Sequence, residues 1–549
     1  MRHGEPVHLR PLSYEVLKHL VENRGRLVGK EELIDRVWHG RAVTDGSIGK
    51  CIEEVRAVLG ADARESVRNV RSRGYIFDPE ADARPAGAAH HPSIAVLPFA
   101  DMSAAKDHEW FSDGLAEEII NALDQIPGLT VIARTSAFAF KGKQEDIRRI
   151  AEALGVAHVL EGSVRKAGNR IRVTAQLIAA RDGSHLWSER YDRELADVFA
   201  VQDEIAQAIA TVLQVKLAGN AAPIRRFTPS VSAYEAFLKA QHHFAKQTAD
   251  SLARARDCYE QAIALDPAFA LAHSSLGEYW FMLAFLGLQS ARDAMPMVRA
   301  AAERALALHP SIPEAHGMLG VVAATYDYDW TESGRRFRLA MAHEPVSPDV
   351  RRLYGFYYLL LTGRPLDAAE ELQRLLEEDP LNLWLQLRLA ACLQAAGRDA
   401  DALVQYRQIL ELDESYWFAY VALGSLHASH GRLTDALACA EYAHALAPWS
   451  PHAAGLLAGV LRRTGEVRRA ETLLEQIGPG HIKSAHARAI FYLVCGDIDN
   501  AADSVEKSIE ERDPDIMVLL NVAVSRPLRS SPRWPALARL MNLPEKTLS

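Results

Sequence analysis

The 549-residue sequence predicts a multidomain, mainly α protein: a short helical domain ending in a basic hairpin, then an α/β module, then an all-α superhelix. Three observations predict it. The stretch VRNVRSRGYIF, Val67 to Phe77, alternates like a hairpin and holds three arginines and no acid in a chain of net charge -9. Residues 93–219 alternate strand runs with helical runs, and beyond Pro229 small residues and prolines return about every 34 positions. Length alone requires division, because single cores rarely grow past roughly 250 residues.

Composition narrows the function classes. A hydrophobic share of 49% excludes a wholly disordered chain. No run approaches ~18 apolar residues and MRHGEPVHLRPLSYE lacks a signal-peptide core, so a cytoplasmic protein without a membrane anchor is expected. The five cysteines lie far apart with no C-x-x-C pair, which suggests neither a metal site nor disulfides. Phosphate-loop, dinucleotide and zinc-protease signatures are absent. The expectation is therefore no cofactor and no enzyme.

In the first domain, taken as residues 1–78, LSYEVLKHLVEN offers Ser13 as N-cap with Tyr14, Leu17, Leu20 and Val21 on one face. KEELIDRVW follows with Leu33, Ile34 and Val37. The third helix, DGSIGKCIEEVRAVLG, spaces Ile48, Ile52, Val55 and Leu59 along one side and stops at Gly60. In the hairpin, Arg71, Arg73 and Tyr75 share a face or the tip. Three phased helices plus a basic hairpin resemble the winged helix-turn-helix of the OmpR/PhoB class, over nearly all of residues 5–78.

That resemblance implies double-stranded DNA as partner, with the third helix in the major groove and the wing at the adjacent minor groove. It implies that Trp38, Arg41 and Thr44 approach phosphates and that Ser47, Lys50, Cys51 and Glu54 face bases. Arg71 and Arg73 would enter the narrow groove, with Tyr75 supporting the wing. Residues 1–80 hold 14 Lys+Arg against 13 Asp+Glu, so affinity per copy should be modest and a homodimer on DNA would compensate.

DPEADARPAGAAHHP, assigned as a linker over 79–92, lacks periodicity. The next unit, 93–219, opens with the buried-strand run SIAVLPF; FSDGLAEEIINALDQI then offers Ser112 or Asp113 as N-cap before Leu115, Ile119, Ala122 and Leu123. LTVIA is a further strand, EDIRRIAEALG a helix stopping at Gly155, and HVLEGSVRKAGNRIRVTAQLIAARDGSHLWSERYDRE two or three strands. IAVLPF, FSDGLAEEI and VLEGSVRKAGNRIRVTAQLI resemble TolB-like α/β modules, a resemblance that implies fold and no chemistry.

Over 229–549, Pro310, Pro345, Pro380, Glu414 and Pro448 are spaced by 35, 35, 34 and 34 residues. Gly363, Gly397, Gly431 and Gly465 recur every 34, with Ala368, Ala402, Ala436 and Ala470 five later. One such unit is a helix pair that cannot bury its own apolar stripe, so neighbours must stack. The register resembles the tetratricopeptide repeat (TPR), with about eight units over 231–513 and the tail RWPALARLMNLPEKTLS capping the open end. Arg352, Phe356, Trp384 and Phe418, on first helices of their repeats, are candidates for a groove that takes a protein or peptide partner, or for core packing. The order of parts is similar to that of HilA-type regulators, implying a bacterial transcription regulator in signal transduction. A TPR scaffold without DNA binding is the rival; nucleotide cyclases also carry TolB-like and TPR parts, but the winged helix fills that slot.

Overall fold

The computed structural model describes residues 9–23, 27–38, 45–59, 67–70, 74–77, 92–103, 109–124, 126, 128–143, 145–194, 198–213, 228–246, 249–342, 346–478 and 482–544. They form two compact units, divided after His91. The linker assigned to 79–92 lies outside the described residues except Pro92.

The first unit runs α1 (Pro11–Glu22), β1 (Leu27–Gly29), α2 (Lys30–Val37), α3 (Asp45–Leu59), β2 (Val67–Val70) and β3 (Gly74–Phe77). β3 pairs antiparallel with both neighbours, Val67 opposite Phe77 on one side and Leu27 opposite Ile76 on the other. The LVG strand was not expected; three residues are too few to show alternation. Val16, Leu20, Leu33, Ile48, Ile52 and Val55 close the core under Val67, Tyr75 and Phe77. Two assignments on α1 are corrected. Ser13 lies inside the helix, fully buried, with Arg10 at the N-cap position, and Tyr14 and Val21 face solvent. The inward stripe is Ser13, Val16 and Leu20, because Ser13 has a partner on α3.

The second unit begins with β4 (Ser93–Val96), β5 (Ala100–Asp101), α4 (Glu109–Asp124), β6 (Thr130–Val131), α5 (Arg134–Phe138), α6 (Ile147–Leu154), β7 (His158–Ala167), β8 (Arg170–Ala179), β9 (His185–Glu194) and α7 (Val198–Val212). β4 runs parallel to β6 and β7, and β7, β8 and β9 form an antiparallel meander. Leu115, Ile119, Ala122 and Leu123 are buried on α4 as their spacing predicts. Ser112 and Asp113, however, lie within that helix, which starts at Glu109. α6 is capped by Asp146, which accepts from the Arg148 N–H, and ends on Gly155 at φ 69°.

Eight helix pairs follow: α8 (Val231–Phe244) with α9 (Ala249–Leu265), α10 (Ala270–Leu286) with α11 (Ala291–Leu308), α12 (Pro313–Val322) with α13 (Trp330–Ala340), α14 (Pro348–Tyr354) with α15 (Pro365–Glu378), α16 (Leu383–Ala395) with α17 (Asp399–Leu412), α18 (Trp417–Ser429) with α19 (Leu433–Leu446), α20 (Pro451–Thr464) with α21 (Val467–Gln476), and α22 (Ser484–Cys495) with α23 (Ile498–Glu510). A last segment carries α24 (Ile516–Asn521), α25 (Arg526–Arg529) and α26 (Trp534–Leu540). The glycines of the repeats have physical reasons. Gly363, Gly397, Gly431 and Gly465 hold φ of 79°, 77°, 73° and 94°, the left-handed turn that separates the helices of a pair. At Gly320 a Cβ would stand 2.8 Å from the Phe337 ring, so the helices of that pair touch through glycine. Between Pro267 and Pro310 the chain runs 43 residues rather than about 34, and the long helices α10 and α11, of 17 and 18 residues, take up the difference.

The α/β module shares a core with the first helix pair: Phe111, Leu115 and Ile119 pack in one cluster with Tyr234, Phe237 and Tyr259. A Cβ on Gly114 would lie 2.5 Å from the Leu238 side chain, so α4 and α8 approach through that glycine. Farther along, the Ser136 hydroxyl donates to Asp379 at 2.5 Å and accepts from the Leu381 N–H at 2.7 Å. Lys166 pairs with Glu235. The module is thus built onto the repeats. The tail does more than cap an end. The Ala523 N–H donates to Gln394 Oε1 at 2.9 Å, Arg526 forks onto Asp399 at 2.6 and 2.7 Å, and the Trp330 indole donates to the Met541 carbonyl at 3.0 Å. Among the described residues no helix is long and apolar enough to cross a membrane.

Two outcomes check this packing. Gly431→Ala forces a side chain into the left-handed region and should cost roughly 1 to 2 kcal/mol in urea denaturation. Burial, then the charge of Glu117, pushes the Glu118 carboxyl at the α4–α8 joint up to about 8. With the folded value raised, its stabilising share is complete below about 4.5 and is lost as pH rises through about 8. Glu118→Gln should flatten the fall in urea midpoint between pH 5 and 8.5; an unchanged fall would contradict the assignment.

Candidate nucleic-acid interface

The interface is built on α3, whose buried side is Ile48, Cys51, Ile52 and Val55 and whose outer side carries Lys50 and Glu53 in solvent. Glu54, an acid that would repel phosphate, is held elsewhere. The Ser13 hydroxyl donates to its Oε2 at 2.6 Å and Arg10 pairs with its Oε1. Arg10 first and Ser13 second keep the Glu54 carboxyl below the usual carboxylate range. Its charge is therefore answered within the domain, and the carboxylate is committed to α1. Arg56 faces the hairpin: its Nε and Nη2 donate to the Val67 carbonyl at 3.1 and 2.7 Å, fixing β2 to α3.

The sequence-derived site residues separate accordingly. Lys50 is exposed. Tyr75 is 6% exposed and packs beneath the hairpin. Cys51 and Trp38, 6% and 8% exposed, are corrected from base and phosphate contacts to core residues, since their side chains fill the space between α1, α3 and the sheet. Glu54 is corrected from base reader to tether. The side chains of Arg41, Thr44 and Ser47 lie outside the described residues, as do Arg71 and Arg73 at the hairpin tip. Sequence reasoning missed Arg56 and Arg10. A basic residue one turn from the end of α3 was the available signal for the former, while Arg10 carried none.

Arg352, Trp384 and Phe418 lie on first helices and Phe356 on the π-helical turn Gly355–Leu359 that continues α14, but their surroundings are filled. Phe356 is 1% exposed, which removes it from partner contact. The Arg388 guanidinium stands 4.0 Å from its ring centroid and 4.1 Å from that of Trp384. Trp384 and Phe418 meet edge to face at 6.0 Å, and both touch Phe285. Arg352 reaches Glu278 at 3.4 Å and Asp349 at 3.3 Å. Arg388 was legible as one cation inside the apolar run LWLQLRLAACL, four residues after Trp384.

Residues 4–77 match the family "Transcriptional regulatory protein, C terminal", residues 89–208 the "HilA/YgeH-like transcriptional regulator, second domain", and residues 359–423 and 427–490 the tetratricopeptide repeat. The chain carries an OmpR/PhoB-type winged-helix regulatory domain, a HilA-like domain and TPR repeats. It is 24% identical over 387 residues to "Transcriptional regulator HilA" of Salmonella typhi, covering 69% of this chain and 68% of that protein. It is 46% identical over 187 residues to a Rhizobium meliloti (strain 1021) protein named "Putative adenylate cyclase 3", covering 34% of this chain and 32% of that one. The chain thus spans about a third of the length of that relative. This second likeness corrects the expectation that the chain is no enzyme: the similarity is to a protein named for a catalyst, so the lack of familiar catalytic motifs does not decide the matter. Among solved structures, Pseudomonas aeruginosa PilF is similar at 19% identity over 41% of this chain and 98% of its own, with a TM-score of 0.30.

Arg56→Ala should leave the Val67 carbonyl without its charged donor and lower the stability of the first unit by roughly 1 to 2 kcal/mol. Chemical denaturation followed at Trp38 would read this as an earlier transition; an unmoved midpoint would show that Arg56 does not hold the hairpin.

Proposed function

We propose that this chain is a DNA-binding transcriptional regulator, acting in the cytoplasm, whose first unit reads promoter DNA and whose TPR body receives a regulatory protein. The observation that carries the reading is the state of α3. Its outer side exposes Lys50 beside one acid, Glu53, its second acid, Glu54, is tied back to Arg10 and Ser13, and its far end braces the hairpin through Arg56. That is the arrangement a reading helix with a wing requires. The match of residues 4–77 to a regulatory family and the likeness to HilA support it.

In this reading Arg41, Thr44, Arg71 and Arg73 bind phosphates or the minor groove, Ser47 and Lys50 meet base edges, and two copies share a site because one unit is barely basic. The middle module is TolB-like in plan and serves as the rigid first layer of the body. Since the inner aromatic residues are packed, the partner docks on Arg352 and neighbouring rims rather than on Phe356.

The test is binding of promoter fragments by the full chain across a salt series. Wild type should lose affinity steeply with salt, and Arg71→Ala with Arg73→Ala should reduce the slope by about two ions as well as weaken binding. Equal, shallow binding by both proteins would favour a scaffold.

A further inference from the structure

We propose that His452, His486 and Asp515 form a site for a divalent transition ion of the zinc class, which pins the C-terminal segment to the last two helix pairs. His452 opens α20, His486 lies on α22, and Asp515 immediately precedes α24, so the three donors come from three separate elements. One ligand atom from each lies within 4.8 Å of the others. The residues are 7%, 1% and 4% exposed. Two imidazoles and a carboxylate suit zinc, with a fourth position left for water.

The surroundings point to a cation as well. His486 Nδ1 donates to Asp513 Oδ2 at 2.7 Å, so Nε2 is the ring nitrogen left to face an ion. A carboxylate behind a histidine is the support that metal-binding imidazoles use. His452 Nε2 and Asp515 Oδ2 already face one another at 2.7 Å, the hydrogen bond that an ion between them would replace. Charge is incomplete. Asp513 and Asp515 share one cation, Lys483, whose Nζ is 3.2 Å from the first and 3.6 Å from the second and makes no hydrogen bond to either. Two buried carboxylates against one ammonium leave the pocket one positive charge short. In the proposed state Lys483 stays with Asp513 and the ion takes Asp515. Lys483 itself holds a left-handed backbone at φ 61°, a conformation a lysine keeps only where its surroundings impose it.

The proton is the competing occupant, as one imidazolium would also balance the charge. Untagged full-length protein from zinc-supplemented cells, desalted, should retain one equivalent of zinc by elemental analysis. Cobalt exchanged into it should give visible absorption of a four-coordinate site. Asp515→Asn and His452→Gln should each lower retained metal at least tenfold with unchanged far-ultraviolet circular dichroism, while His273→Gln, elsewhere in the repeats, retains it. If the variants do not fold, wild type decides: zinc should raise the melting temperature, chelation should reverse this, and magnesium should do neither. Retention below a tenth of an equivalent, equal retention by folded variants, or a melting temperature indifferent to zinc and chelator would each overturn the proposal and leave a proton only.

Discussion

The constraint on which the large unit depends is that a stacked helix pair has two apolar faces and the first and last pairs each lack a neighbour. Both ends are covered. α4 lies on α8 through Gly114, so the core of the α/β module runs into the first pair without a break. At the other end the final segment turns back over the first helices, burying Ile516, Met517, Leu520, Leu528 and Met541. Burial of five such side chains contributes on the order of 10 kcal/mol before chain entropy is subtracted, so this segment is part of the body and not a detachable arm.

Covering the ends shapes what the molecule can do. The inner aromatic residues that could have gripped a peptide instead pack on Arg388 and on one another, and the α/β module is held at two places by Leu238 and Asp379. A signal reaching this unit acts on a body already packed throughout. The first unit obeys a different economy. Its charges are nearly balanced in number, and the arrangement decides: Arg10 is used to silence Glu54, Arg56 to hold a strand, and Lys50 remains outward beside Glu53.

How far the sequence was legible follows from whether a residue's role is local. Gly363, Gly397, Gly431 and Gly465 were readable because a left-handed turn needs glycine wherever it stands. The eight helix pairs followed from that period. The inward face of α1 was misjudged because Ser13 was read by its local habit as a cap, whereas its hydroxyl answers Glu54 41 residues away. Ser112 and Asp113 failed likewise: Asp113 is buried against Lys141 and His242. Trp38 and Cys51 were placed by family resemblance, which gives position along a helix but not which way the side chain turns. The contacts of Ser136 with Asp379 and of Gln394 with Ala523 join residues more than a hundred apart and leave no periodic trace.

The most direct measurement is hydrogen exchange on the full chain with and without promoter DNA. The account predicts slowed exchange confined to the amides of α3 and the hairpin strands, with the α/β module and repeats unchanged. No slowing there, or slowing centred on the repeats, would contradict it.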